Sequence, residues 1–256
     1  EPGLPKIQMA ECLWAIKPIS IDGNATEPAW SGATVFEDYH LAWLGEKDRP
    51  AKTKTRTRLL WDSEYLYFTA EMEDTDLFAD VTRKDDDTWN NDVWELFLKP
   101  AGDKGYYEFH VNAANTKFDI FLPHRGGWLV KRLRRTHAFH IESKVTLRGT
   151  LNDLTDKDKG WTVEGRIPWS DLKMTGGAPK AGDEWTLSLC RYDYSVGSER
   201  PELSSITPYK RLDFHRHEDF LPIRFGGKEE NRFGSLKRVP WHDSKVTGSP
   251  EPPLPY

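Results

Sequence analysis

Residues 84–112 read KDDDTWNNDVWELFLKPAGDKGYYEFHVN: an acidic, Trp-bearing loop, a buried strand, a turn and a second strand. The first strand, residues 93–98, is apolar on both faces apart from Glu95. A lone carboxylate there costs a great deal unless something pairs with it. The second strand alternates, with Tyr106, Glu108, His110 and Asn112 on one face and Tyr107, Phe109, Val111 and Ala113 on the other. Pairing the two strands through the GDKG turn puts Glu95, His110 and Asn112 on one face near Trp89. Trp89 itself sits among Asp87, Thr88, Asn90, Asn91 and Asp92, a polar setting that reads as loop rather than core. An aromatic plate beside convergent hydrogen-bonding groups suits a sugar.

Working outward, TRTRLLWDSEYLYFTAEMED gives the clearest strand pair: Thr55–Trp61, a DSE turn, and Tyr65–Met72 with alternating Leu66, Phe68, Ala70 and Met72. Upstream, CLWAIKPISIDG reads as a first strand ending in an Asp22-Gly23 turn. Downstream, TKFDIFLP, HAFHIESKVTLRGTL, GWTVEGRIPWSDL, WTLSLCRYDYS and FLPIRF read as further strands, with a short helical turn at IPWSDL. In WTLSLCRYDYS, Trp185, Leu187, Leu189 and Arg191 share one face, so Arg191 joins an otherwise apolar row. No long segment keeps a 3.6-residue apolar period. Some ten to twelve short strands with turns between them predict an all-β fold, an antiparallel β-sandwich of two sheets, immunoglobulin- or jelly-roll-like, with long loops. The sandwich is expected over residues 1–226. Residues 227–256 form a C-terminal extension whose Pro-rich tail, GSPEPPLPY, cannot enter a sheet interior.

The 256 residues carry 11 Trp, 12 Phe and 9 Tyr, enough large side chains for a sizeable core despite 37% hydrophobic content. A formal charge of -5 offers no general attraction for nucleic acid or anionic lipid. No apolar run reaches the length of a membrane span. The start at Glu1 reads as the mature end of a secreted or periplasmic chain. Cys12 and Cys190 fit either one long-range disulfide or two reduced buried thiols, and their spacing matches no metal cluster or haem attachment site.

Three other chemistries were weighed. His110, His215 and His217 are weak candidates for a transition-metal site. The acidic loop 73–92 offers oxygen donors for a structural calcium, without EF-hand spacing. Asp92 and Glu95 are the one carboxylate pair placed for glycosidic chemistry, but their strand offset points them to opposite faces. With no nucleophile, zinc-protease or nucleotide signature, the chain reads as no enzyme. The run Lys131, Arg132, Arg134, Arg135, if it lay beside a glycan site, would favour acidic sugars.

The segments IDGNATEPAW, TRLLWDSEYLYFTAEMED, TWNNDVWELFL, GYYEFHVN, GWTVEGRIPWSDL, GDEWTLSLCRYDY and FHRHEDF occur in the order and spacing of carbohydrate-binding module family 9 and its family 9-like relatives. The chain resembles that family over about residues 15–226. The resemblance implies a β-sandwich that holds the reducing-end sugar of a glycan between two aromatic side chains. It also implies secretion, frequent attachment to xylanases and other polysaccharide-degrading enzymes, and in some members a structural calcium. Carried over, the first clamp aromatic falls on Trp89 and the sugar-gripping carboxylate on Glu95. His110 stands where the family has arginine, and Phe214 takes the second clamp position. The polar residue of the penultimate strand is Cys190 or Arg191, one register step apart, with Arg191 favoured for its chemistry. The expected ligand set is therefore Trp89, Glu95, His110, Asn112, Arg191 and Phe214, serving non-catalytic binding of an oligosaccharide or polysaccharide end. Glu95 can also serve as the structural partner of Arg191 or Arg58. The competing expectation is a metal- or haem-dependent redox protein on the same sandwich.

Overall fold

The structure is a computed structural model that describes residues 9–102, 105–126 and 138–231. The basic run 131–135 and the Pro-rich tail lie outside the described residues. Twelve strands are described: β1 Ala10–Trp14, β2 Thr34–Phe36, β3 Thr55–Trp61, β4 Tyr65–Met72, β5 Val93–Lys99, β6 Tyr106–Asn112, β7 Lys117–Leu122, β8 Glu142–Leu147, β9 Trp161–Pro168, β10 Glu184–Asp193, β11 Glu202–Ser205 and β12 Leu221–Phe225. They form one hydrogen-bonded path, β7-β6-β5-β10-β12-β1-β3-β4-β9-β8, with β11 added to β10 and β2 to β3. The path curls on itself, consistent with a β-sandwich. Among the described residues no helix is long and apolar enough to cross a membrane.

β1 joins the two arms of this path. Ala10 to Cys12 pair with Ile223 to Phe225 of β12, and Leu13 and Trp14 pair with Leu60 and Trp61 of β3, both in parallel. The other strand pairings are antiparallel, as expected from the hairpins. β1 departs because no tight turn connects it to either neighbour, and only a tight turn forces reversal. It also ends earlier than the sequence predicts. The chain leaves the ladder after Trp14, and Pro18 has no N–H to extend a strand beyond it.

The segment after β1 is held by a buried carboxylate. Glu164 of β9 accepts hydrogen bonds from the backbone N–H of Asp22 and Gly23, each at 3.0 Å, and from Trp30 Nε1 at 2.9 Å. Gly23 turns with φ 89°, a left-handed value that favours glycine. The expected Asp22-Gly23 turn is thus docked on the outer face of β9.

The core lies between the arms. Phe68 of β4 stacks on Trp94 of β5 at 4.8 Å and 17° although the two strands are not neighbours. Trp61, Trp169, Trp185 and Phe225 pack edge-on at one end, with centroids 5.0–6.4 Å apart. Phe68 is given room by its antiparallel partner Gly165 on β9. A Cβ at Gly165 would lie 2.3 Å from Phe68 Cζ and 2.6 Å from the Glu142 carbonyl oxygen. Gly165→Val is therefore expected to cost roughly 1–3 kcal/mol through displacement of Phe68 from Trp94. Urea unfolding should show a lower midpoint at unchanged slope, and an unchanged midpoint would contradict this account of the core.

Candidate ligand-binding site

Side-chain parity on three adjacent strands separates the core from a second, outer face. Trp94, Leu96 and Leu98 of β5, Tyr107, Phe109 and Val111 of β6, and Leu187 and Leu189 of β10 enter the main core. Their alternates, Phe97 of β5, Tyr106 of β6 and Cys190 of β10, join Phe118, Ile120 and Leu122 of β7 in a separate cluster on the other side. On that outer face the registers align Ser205, Cys190, Glu95, His110 and Phe118 in one row across five strands.

A pocket of about 370 Å³ opens on this face. Its floor is Glu95, Phe97, Glu108 and His110, and its walls include Trp89, Phe118, Tyr192, Leu203 and the 212–215 segment. Trp89 stands edge-on to His110 at 6.2 Å and to Phe118 at 5.4 Å. Its loop is fixed from below: Thr88 Oγ1 lies 2.9 Å from His110 Nδ1, and the Tyr194 hydroxyl donates to the Trp89 carbonyl at 2.9 Å. Phe214, also in the lining, is held by the Tyr209 hydroxyl, which donates to its carbonyl at 2.9 Å, and by ring contacts with Tyr192, Tyr209 and Trp43.

The floor is built of buried titratable groups. His110 Nε2 lies 2.8 Å from Glu108 Oε1 and 3.3 Å from Glu95 Oε1, and all three residues are buried. Burial pushes the Glu95 carboxyl up to about 7; the His110 charge opposes this and the Glu108 charge adds to it. For His110, burial acts downward, but Glu95 and Glu108 outweigh it and hold the imidazolium above its ordinary value. The site thus presents carboxylate acceptors among aromatic faces, an arrangement that can grip hydroxyl or ammonium donors and stack on C–H faces.

Of the six expected ligand residues, Trp89, Glu95, His110 and Phe214 line this pocket. Asn112 and Arg191 do not. Asn112 faces the same side as His110 but is consumed by the loop: its Nδ2 donates to the Val81 carbonyl and Asn91 Oδ1, and its Oδ1 accepts from Thr116 N–H. It ties down the segment that carries Trp89. Arg191 belongs to the opposite parity and points inward, donating to Thr55 Oγ1 at 3.1 Å, the Glu73 carbonyl at 2.7 Å and Asp74 Oδ2 at 3.1 Å. The β10 residue that reaches the pocket is Tyr192. The partner of Glu95 is His110, whereas Arg58 pairs with Glu71 at 3.1 Å. Glu108, Tyr192, Phe97, Phe118 and Asp213 also line the pocket and were not among the expected set. Glu108 was legible, since it shares the His110 face two residues away, but the Leu212, Asp213 and Phe214 wall depends on loop placement that no periodicity encodes.

Among the described residues, the group with metal-ligand spacing is Asp74, Asp92 and Asp193, whose ligand atoms lie within 4.8 Å of one another. No such group contains His110, His215 or His217. His215 lines the pocket with its Nδ1 on the Tyr106 hydroxyl at 2.9 Å, and the His217 ring sits 5.5 Å from the Tyr106 ring. Asp92 faces the aspartate group and Glu95 the pocket, the opposite placement that parity predicts. Both Asp92 oxygens accept backbone N–H groups, from Tyr194 at 2.7 Å and Phe78 at 2.6 Å. Cys12 and Cys190 are free buried thiols, so the disulfide alternative does not hold.

The sequence profile described as carbohydrate family 9 binding domain-like matches residues 21–218. An alignment of 168 positions, covering 59% of this chain and 15% of the other, is 28% identical to endo-1,4-beta-xylanase A of Thermotoga maritima. Among solved structures, a carbohydrate binding module family 9 from Caldicellulosiruptor kristjanssonii in complex with cellotriose superposes with TM-score 0.58 at 16% identity, covering 96% of this chain and 100% of that one. The same organism's module in complex with glucose gives 0.57 at 17%, over 86% and 98%. A carbohydrate-binding protein of Bacteroides uniformis, described as putative, gives 0.62 at 15%, over 85% and 97%. At these identities the structural likeness is one of fold.

A raised carboxyl makes a directional prediction. The proton that Glu95 holds up to about pH 7 is released near its ordinary 4.5 in the unfolded chain. Its contribution to stability is therefore fully present below about 4.5 and is lost as pH rises through about 7. Glu95→Gln should flatten the fall of Tm across that window, measured by scanning calorimetry. An equal slope in both proteins would remove Glu95 as its source.

Proposed function

This chain belongs to the carbohydrate family 9 binding domain-like family, and on that basis we propose that it is a non-catalytic glycan-binding module whose ligand is a terminal sugar seated in the Trp89–Phe214 pocket. The family is one of binding domains, and the match to the xylanase spans only 15% of that protein's length. What supports the residue assignment is the pocket itself, whose lining includes Trp89 and Phe214 together with Glu95, Glu108 and His110. The rings cover the C–H faces of the sugar while the carboxylates accept its hydroxyl protons. Recognition of the reducing end is the finer form of this reading: a terminal unit fits a pocket closed at its floor, whereas an internal unit needs a groove open at both ends. The relatives solved with cellotriose and glucose support a sugar of that size. By the same reading the module is secreted and works beside polysaccharide-degrading enzymes.

We also propose a structural calcium where the acidic loop meets β10, held by Asp74, Asp92 and Asp193, whose ligand atoms lie within 4.8 Å of one another. The donors are hard oxygens, and three carboxylates exceed the single charge that Arg191 brings to Asp74 and Asp193. Added calcium should raise Tm by about 3 °C or more over protein in chelator. Identical melts would dismiss the ion.

Trp89→Ala tests the site. Calorimetric titration with cello- and xylo-oligosaccharides should show affinity reduced roughly tenfold or more, with the fold intact by circular dichroism. Oligosaccharides reduced at their end should bind neither protein. Unchanged affinity in the variant would move the site elsewhere, and equal binding of reduced sugars would refute end recognition.

A further inference from the structure

Resting on that reading of the pocket, we infer that Tyr194 and Tyr209 are positioning residues that place Trp89 and Phe214 for the sugar. The two tyrosines make the same contact. The Tyr194 hydroxyl donates to the main-chain carbonyl of Trp89, and the Tyr209 hydroxyl to that of Phe214, each at 2.9 Å. Among the described residues, Trp89 and Phe214 line the cavity and neither tyrosine does. A carbonyl held by a side chain from another segment fixes the Cα beside it, and with it the point from which the aromatic ring projects.

Both tyrosines are in turn referenced to β10. Tyr194 directly follows that strand, with its N–H bonded to Asp92 Oδ1 at 2.7 Å and its ring 6.1 Å from that of Phe78. Tyr209 follows β11, whose residues Glu202 to Ser205 pair with Asp193 to Cys190 of β10. The short segment between β11 and Tyr209 is tied to both strands. Tyr209 N–H donates to the Thr207 carbonyl at 2.8 Å, Thr207 N–H to Ser205 Oγ at 2.9 Å, and Thr207 Oγ1 to Ser188 Oγ at 2.6 Å. Ser188, Ser205, Thr207 and Tyr209 are all buried. Buried hydroxyls with good partners hold their geometry closely, because each broken bond leaves a desolvated group behind.

Trp89 and Phe214 therefore belong to loops far apart in sequence but take their positions from one strand. Rings on unsupported loops would have to be ordered when the sugar arrives, and that ordering lowers affinity. The two hydroxyls order the loops in the ligand-free fold. Thr88 Oγ1, 2.9 Å from His110 Nδ1, ties the Trp89 loop at a second point, so loss of the Tyr194 hydroxyl loosens the loop without releasing it. Replacement by phenylalanine removes the hydroxyl alone and keeps the ring contacts of Tyr194 with Phe78 and of Tyr209 with Phe214 at 5.6 Å.

The test is calorimetric titration with cellotriose of the full chain and of three variants, Tyr194→Phe, Tyr209→Phe and Tyr67→Phe. Tyr67 is the control, a buried residue of β4 outside the pocket lining whose hydroxyl donates to Asp62 Oδ2 at 2.9 Å. Each variant loses one tyrosine hydrogen bond, so all three should melt below the unaltered protein. Affinity should fall roughly three- to tenfold in Tyr194→Phe and Tyr209→Phe and stay unchanged in Tyr67→Phe. Tyr209 is only 1% exposed, and Tyr194→Phe carries the test if Tyr209→Phe fails to fold by circular dichroism. Undiminished affinity in Tyr194→Phe, or an equal loss in Tyr67→Phe, overturns this inference and leaves the glycan reading standing. Silence of the unaltered protein towards cellotriose overturns both.

Discussion

The pairing of Glu95 with His110 across β5 and β6 fixes which side of the sheet each neighbouring residue serves. Because strand side chains alternate, one register sorts every polar group on β5, β6 and β10 to the core or to the outer face. Glu95, Glu108, His110 and Tyr192 go outward, and Trp94, Phe109, Leu189 and Arg191 go inward. A slip of one residue on β10 would drive the Arg191 guanidinium into the pocket and Tyr192 into the core. The stacked Phe68–Trp94 pair and the packed rows beside it forbid that slip.

The same three strands therefore carry two buried charge centres, one on each face, and they solve the burial problem differently. Inside, Arg191 brings a permanent cation to Asp74 and Asp193, with Thr55 and the Glu73 carbonyl taking its remaining donors. That centre fixes the loop leading into β5. Asp92, at its edge, bonds the backbone of Phe78 and Tyr194, and Tyr194 in turn holds the carbonyl of Trp89. Outside, Glu95 and Glu108 share the titratable imidazole of His110, and Glu108 also lies 4.0 Å from His215 Nδ1. The inner centre is packed within the protein, whereas the outer one faces a cavity.

How much of this was legible follows from what fixes each feature. The 55–72 hairpin was readable because its turn and alternation are local, and the structure places both strands at the bounds read from sequence. Glu95 and His110 were readable because an isolated carboxylate in an apolar strand needs a partner on the paired strand. Arg191 points away from the pocket, as its place in the row of Trp185, Leu187 and Leu189 requires, so parity rather than chemistry decides its side. Asn112 had the right parity and the wrong role, because Val81, Asn91 and Thr116 reach it from connections whose path is set by tertiary packing. The parallel pairings of β1 were beyond reach for a related reason. Its partners lie about 50 and 210 residues away, and no turn chemistry records such a contact.

The outer centre also explains why a binding surface here is drawn from a costly arrangement. An aliphatic side chain at position 95 would avoid the desolvation that raises the carboxyl to about 7. The chain instead keeps two carboxylates around one histidine beneath a cavity lined by aromatic residues, where a ligand hydroxyl can reach them. Such a ligand binds the folded form alone, because the unfolded chain disperses Glu95, Glu108, Trp89 and Phe214. Occupancy therefore adds to the stability of the fold, and sugar affinity and thermal stability are linked through the same pocket residues.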